Sequence, residues 1–332
     1  MKKIIKTLLG ILTGYVIAQQ LWILWQLLKN EPRQTLLERA NKAPKGVSLR
    51  GTTRRFKEYT IRHAIEDGIE RVSYLPETPR HATPLLLLHG MWHGAWCWER
   101  WQARLAELGW ESHAFSLPGH GASPVQRPIH LCTLDYYLNF LRDEVARLGR
   151  KPVLIGHSMG GALVQWYLRY VGDDLPAVVL LTPMVAHSVL ADGVPLLLKR
   201  DPAVFPLMLL TWDASPFVRT PDIAAAKLIG PRALLSPEEL HARLGPESML
   251  VLFQHNPPFW YPPENVQTPM LVVAGEEDAV ISLQGLQRTA AHYQADFLSI
   301  EEAGHDLMLE HNWRESVERV HAWLEGVLSN EQ

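Results

Sequence analysis

Val153-Leu154-Ile155-Gly156-His157-Ser158-Met159-Gly160-Gly161-Ala162-Leu163-Val164 reads as a strand, a serine bracketed by glycines, and the start of a helix. A short apolar run of this kind is expected of a strand buried on both faces. The helix is expected over Met159–Tyr170. Between them, the Gly-x-Ser-x-Gly spacing has a mechanical reason. The serine sits on a sharp strand-to-helix turn, and small neighbours let the backbone close so that Oγ projects above the sheet. The competing reading is a glycine-rich turn with an ordinary serine. The strand before and the helix after favour Ser158 as a nucleophile.

Working outward, apolar runs alternate with helical patterns. Strands are predicted over Phe56–His63, Glu70–Leu75, Pro84–His89, Glu111–Leu117, Pro152–Ile155, Ala177–Leu181, Met270–Ala274 and Phe297–Ile300. Asp67-Gly68 gives a hairpin signal between the first two. Helices are predicted over Trp98–Leu108, Leu134–Leu148 and Trp313–Leu328 as well. This alternation argues for an α/β fold with a mostly parallel sheet covered on both sides. The interval Met184–Glu264 is rich in Pro, Leu and Met and lacks clear strands. It is expected to form a helical cap over the carboxyl ends of the strands, where such sheets bind ligands. The expected division is an N-terminal helix over 1–28, a connector over 29–55, a core over 56–183, the cap over 184–264, and the rest of the core over 265–332.

An unactivated hydroxyl is a poor nucleophile, so a base and an orienting acid are needed. When a serine occupies such a turn, the acid and then the histidine follow it in the chain. Asp278, in Gly275-Glu276-Glu277-Asp278-Ala279-Val280, is the expected acid. Glu276 and Glu277 compete with it, and Asp278 is preferred because it directly precedes the apolar Ala279-Val280-Ile281. His305, in Gly304-His305 after the last strand, is the expected base. Among 15 histidines, His120, His187 and His255 read as surface or cap residues, and His157 as a packing neighbour of the serine. The developing oxyanion needs preorganised N–H donors. The backbone amides of Met159 and of Met91, in His89-Gly90-Met91-Trp92, are the candidates.

The 332 residues suit one large domain with an insertion, and 47 % apolar content with 20 % charged residues excludes a disordered chain. A net charge of −3 argues against a nucleic-acid partner. Cys97 and Cys132 make no disulfide framework, are expected as free thiols, and sit in no metal-ligand spacing. Neither a metal nor a cofactor is expected. Oligomeric state is open at this level.

After Met1-Lys2-Lys3-Ile4-Ile5-Lys6, no charge occurs until Lys29. A helix over Thr7–Leu28 would be about 33 Å long, enough for a hydrocarbon core of about 30 Å. Trp22 and Trp25 would favour its interface. An uncleaved single-pass membrane anchor is the preferred expectation. Competing readings are a signal peptide cut after Ala18, a helix lying on the membrane surface because of Gln19, Gln20 and Gln26, and a buried core helix. Basic residues flank both ends, so orientation is open. The polar, basic connector 30–55 is expected either to lean on anionic lipid or to be a solvated linker.

The segment His89-Gly90-Met91-Trp92-His93-Gly94-Ala95-Trp96-Cys97-Trp98 resembles the HGxxHGAWCW stretch of plant methylesterases, hydroxynitrile lyases and many bacterial esterases within the α/β-hydrolase superfamily. Gly304-His305-Asp306-Leu307-Met308-Leu309 is similar to the histidine segment of the bacterial members. The likeness runs from about Pro84 to Leu328. It implies a cofactor-free ester hydrolase using Ser158, Asp278 and His305, with oxyanion donors at Met91 and Met159. The lyases carry lysine after the histidine, where this chain has Asp306, so a lyase is disfavoured. Ser158 excludes epoxide hydrolases and dehalogenases, which need aspartate there. The expected activity is hydrolysis of carboxylic esters at a membrane, the bacterial inner membrane. A lysophospholipase, phospholipase A or thioesterase on the same triad is the alternative. A ligand receptor on a hydrolase scaffold is the reading from another class, and an intact triad weighs against it.

Overall fold

The computed structural model describes residues 2–29, 49–211 and 213–329. One nine-stranded sheet runs in the order β1-β2-β3-β5-β4-β6-β7-β8-β9. The strands are β1 (Leu49–Arg55), β2 (Tyr59–Glu66), β3 (Ile69–Pro76), β4 (Leu85–Leu88), β5 (Ser112–Ser116), β6 (Val153–His157), β7 (Val178–Leu181), β8 (Met270–Gly275) and β9 (Asp296–Ile300). The first three and β5 pair antiparallel, and β5, β4 and β6 through β9 pair parallel. The central strands carry unbroken apolar sequence because helices cover both faces. Leu85 to Leu88 are all buried, and each such leucine contributes about 1.5–3 kcal/mol relative to exposure.

Flanking the sheet are α2 (Glu99–Glu107), α3 (Leu134–Arg147), α4 (Met159–Tyr170), α10 (Leu283–Tyr293) and α11 (Trp313–Ser329). Between β7 and β8 the chain leaves the sheet and builds α5 (Val189–Arg200), α6 (Val204–Thr211), α7 (Pro221–Leu228), α8 (Pro237–His241) and α9 (Met249–Gln254). These are the helices of the expected cap. Ser188, Thr220, Ser236 and Ser248 cap four of them by accepting a backbone N–H, which satisfies donors that a helix start leaves free.

The sheet fixes where a site can form. β4 lies between β5 and β6, so the chain winds one way from β4 to β5 and the other way from β4 to β6. A crevice opens beyond the carboxyl ends of strands at such a reversal. The residues after β4 and after β6 are Gly90–His93 and Ser158.

Two expectations need correction. The segment 29–55 was read as a connector, and residues 30–48 lie outside the described residues, but Leu49–Arg55 is a strand on the outer edge of the sheet, paired with β2. Its sequence, Leu-Arg-Gly-Thr-Thr-Arg-Arg, has no apolar face. Charged and polar side chains suit an edge that faces water. The second concerns the membrane anchor. α1 does form, as one helix over Lys2–Lys29. Yet among the described residues no helix is long and apolar enough to cross a membrane. Gln19 and Gln20 fall well inside the apolar run, and their uncompensated amides are costly in hydrocarbon. One side of α1 meets the protein instead. Tyr15, Ala18, Gln19 and Trp22 line a groove with His130 and Pro246, though Tyr15 and Trp22 stay exposed there, as do Ile11, Leu12, Ile17, Leu21 and Trp25 elsewhere on the helix.

Candidate active site

Ser158 is the last residue before α4, with φ 51° and ψ −113°. Positive φ is rare for a residue with a side chain and marks stored strain. The surroundings enforce it. Ser158 N–H donates to Leu181 O at 3.0 Å, and Ser158 O accepts from Ala162 N at 3.1 Å and Met184 N at 3.1 Å. Gly160 lets the helix start press on β4, since a Cβ there would lie 2.5 Å from Leu88 O and 2.7 Å from His89 O. Gly90 does the same for the loop after β4, where a Cβ would lie 3.0 Å from the Ser158 Cβ and 2.7 Å from His157 Nδ1. The expected glycine-bracketed turn therefore exists, and its neighbours fix its shape.

The structure brings Asp278 and His305 together. His305 Nδ1 donates to Asp278 Oδ2 at 2.8 Å, with both side chains almost wholly buried. The other oxygen, Oδ1, accepts from Val280 N at 2.7 Å and Ile281 N at 3.0 Å, so the carboxylate cannot swing away. Glu276 and Glu277 are exposed, and Glu276 accepts from Ser299 Oγ. Burial pulls the His305 pKa down, but the Asp278 charge and hydrogen bond, with the Asp306 charge behind them, raise it above 6.5 overall. The His305 carbonyl accepts from Thr182 Oγ1 at 2.8 Å and from His157 Nε2 at 3.2 Å. His157 directly precedes Ser158, and its ring centre is 4.9 Å from that of His305. The histidine loop is thus fastened to the serine turn.

The amide of Met159 is the first of α4 and has no carbonyl one turn back to bond. Met91 lies in the loop that Gly90 lets approach Ser158. Both residues are buried. An enclosed, apolar pocket of about 50 Å³ holds Ser158, with walls that include Met91 and Ile281 from the core and Met184, Leu197, Phe205, Met208 and Phe217 from the cap interval.

Sequence reasoning missed a second set of buried polar groups. His93 Nε2 lies 3.0 Å from Asp306 Oδ2, with both residues wholly buried. His120, read as a surface or cap residue, is also wholly buried, 2.9 Å from Glu247 Oε2. Tyr137 Oη donates to the same carboxylate at 3.1 Å. Glu310 accepts from Gly230 N at 2.7 Å and Gly304 N at 3.0 Å. The only sequence cue was Asp306, which directly follows His305. Cys97 and Cys132 are buried free thiols. Among the described residues, two clusters have metal-ligand chemistry, His157-His305-Asp306 and His81-His321-Glu325. The first is taken up by the hydrogen bonds above. In the second, Trp110 Nε1 donates to His321 Nδ1 at 3.0 Å, which puts that ring's proton on Nε2 and makes it a poor ligand.

Residues 85–319 match the family model for the alpha/beta hydrolase family. The chain belongs to that family. Among curated relatives, the protein from Oryza sativa subsp. indica named "Probable esterase PIR7A" is 30 % identical over 171 residues, which cover 49 % of this chain and 62 % of the relative. The match thus spans about three-fifths of that relative's length. Among solved structures, the monoacylglycerol lipase of Paleococcus ferrophilus superposes with a TM-score of 0.56 at 20 % identity, covering 79 % of this chain and 98 % of the lipase. A membrane phospholipase A superposes with a TM-score of 0.58 at 19 % identity, covering 98 % of this chain and 99 % of its own. At these identities the likeness is one of fold.

Proposed function

We propose that this protein hydrolyses carboxylic esters through an acyl-enzyme on Ser158. The observation that carries the reading is the strained Ser158 turn inside an apolar pocket, fastened to a histidine whose other face is held by a buried carboxylate. With Nδ1–H committed to Asp278, the Nε2 lone pair of His305 is the base. It takes the Ser158 proton as Oγ bonds to the acyl carbon. The oxyanion forms against the Met91 and Met159 amides. His305 then protonates the leaving alkoxide as the old C–O bond breaks. Water repeats the sequence, giving up its proton to His305, and releases the acid and Ser158. The relative's name, an esterase, agrees.

The pocket wall is almost entirely aliphatic, aromatic and thioether, so the acyl group is apolar. A lysophospholipid or monoacylglycerol fits this chemistry as well as a simple ester does, and a thioester reacts on the same groups. The exposed apolar residues of α1, next to Lys2, Lys3 and Lys6, favour a helix lying in the surface of a membrane. That arrangement keeps the active site beside a lipid substrate. Ser158→Ala tests the chemistry. It should abolish labelling by a fluorophosphonate and remove hydrolysis of p-nitrophenyl esters, and labelling that survives would refute the assignment.

A further inference from the structure

The loop that carries Met91 is a tight turn held in an unfavourable shape. His93 N–H donates to Gly90 O at 3.4 Å, and Trp92, third in the turn, has φ 63°. Turns with positive φ at that place normally use glycine or asparagine, and an aromatic residue there is strained. Four contacts hold the loop, the first being His89 Nδ1, which donates to Gly90 O at 2.8 Å. Gly245 N donates to Trp92 O at 2.7 Å. The Trp92 ring stacks on Phe217 with centroids 4.9 Å apart. His93 Nδ1 donates to Met91 O at 2.6 Å.

The last of these has no slack behind it. The far nitrogen of His93 meets Asp306 Oδ2, so both ends of the ring are fixed by oxygens. Asp306 is fixed in turn, because its amide donates to Leu228 O at 2.8 Å and its carbonyl accepts from Leu309 N at 2.7 Å. Its Oδ1 lies 3.3 Å from His157 Nε2, without hydrogen-bond alignment. Asp306 also follows His305 in the chain. One carboxylate therefore touches the loop that carries the oxyanion donor and the loop that carries the base.

We propose that His93 and Asp306 form a positioning pair, which holds the Gly90–His93 turn and so aims the Met91 amide at the reacting carbonyl. The inference rests on the acyl-transfer reading of Ser158. The pair touches no reacting atom. It acts through Met91 on one side and through charge on His305 on the other. Burial raises the Asp306 pKa, and the charge and hydrogen bond of His93, with the two other histidines, bring it below 3.8 overall, which agrees with an anion here. The groups facing Asp306 are His93, His157 and His305, and the buried thiol of Cys97 and the carboxyl of Glu310 also feel its charge. Facing His305 are Asp278, Asp306 and His157.

Charge and clamp can be separated in a charge-free background. In Asp306→Asn the His93 ring can keep Nδ1–H on Met91 O while Nε2 accepts from the new amide. Plateau kcat for a short p-nitrophenyl ester should then stay within about fivefold of wild type. The acid limb of kcat/KM should move to lower pH, because an anion that favoured protonated His305 is gone. In H93N/D306N the asparagine amide takes the place of Nδ1–H and should restore the bond to Met91 O. In H93F/D306N nothing holds that carbonyl, and plateau kcat should fall about 30-fold below H93N/D306N with KM within threefold, as for a displaced oxyanion donor. If phenylalanine prevents folding, H93A/D306N should show the same loss. Equal kcat in the asparagine and phenylalanine (or alanine) variants would overturn the clamp, even if thermal stability differed. An acid limb that stays put in Asp306→Asn would overturn the link to His305. A wild-type protein without esterase activity would instead remove the reading of Ser158 on which the pair depends.

Discussion

Replacing Asp278 by asparagine separates orientation from packing at the candidate site. Asp278 has two jobs on two oxygens. Oδ1 accepts from the amides of Val280 and Ile281, and Oδ2 accepts from His305 Nδ1. An asparagine can keep its carbonyl oxygen on the two amides, so the loop should hold and stability should change by no more than about 1 kcal/mol. Its NH2 group must then face His305 Nδ1. Two donors cannot share that contact, so the imidazole adopts the tautomer with its proton on Nε2. That nitrogen is no longer a base toward Ser158. The expected loss in kcat is about 10³–10⁴-fold, or about 4–5.5 kcal/mol of transition-state stabilisation. The assay is steady-state hydrolysis of p-nitrophenyl butyrate, with thermal unfolding measured on the same samples. Glu276→Gln and Glu277→Gln, at exposed carboxylates, should stay within about twofold of wild type, as surface substitutions do. An Asp278→Asn protein with kcat within tenfold of wild type, or a crippled Glu277→Gln, would refute the triad as drawn.

Three other outcomes follow from the packing. Burial, against two backbone N–H bonds, raises the Glu310 carboxyl from 4.5 to about 7. The folded chain therefore holds this proton more tightly than the unfolded chain, and the stability it contributes is full below about pH 4.5 and lost as pH rises through about 7. Glu310→Gln keeps the acceptor for Gly230 and Gly304 and should remove about 1–3 kcal/mol of pH dependence from that window, as read by urea unfolding at several pH values. Gly160→Ala puts a methyl 2.5 Å from Leu88 O, and it should destabilise the fold by about 3 kcal/mol or more or leave it insoluble. Deleting residues 1–28 should leave hydrolysis of a soluble short-chain ester intact and weaken sedimentation with anionic vesicles. Unchanged sedimentation would remove the membrane role of α1.

What could be read from the sequence depended on how local the signal was. The strands flanked by helices, such as Leu85–Leu88 and Val178–Leu181, were legible because burial on both faces demands unbroken apolar sequence. β1 was not, because an edge strand facing water can be built from Leu-Arg-Gly-Thr-Thr-Arg-Arg. α10 was missed as well, since Leu283–Tyr293 mixes small and polar residues. Ser158 and His305 stood out through short spacing rules tied to a strand end. His93 and Asp306 could not, because 213 residues separate them and only the winding of the sheet brings them together. His120 looked like one more loop histidine until Glu247, 127 residues away, gave its ring a buried partner. α1 misled in a different way. The run from Thr7 to Leu28 does lack charge, but hydropathy along a chain does not show that part of the helix lines a groove of the protein.

The cap leaves the sheet after β7 and returns at β8, and these two strands are paired neighbours with Val178 opposite Met270. The two strands run parallel, so the chain leaves at the carboxyl end of one and returns at the amino end of the other, and backbone bonds that do not involve the cap hold both places fixed. Helices can be lengthened, traded or reshaped between those posts while the serine, upstream, and the acid and histidine, downstream, keep their places. The cap supplies most of the pocket wall, so under the proposed acyl-transfer reading the range of esters accepted can drift through many substitutions that never touch the reaction. Selection on substrate and selection on chemistry act on separate stretches of this chain.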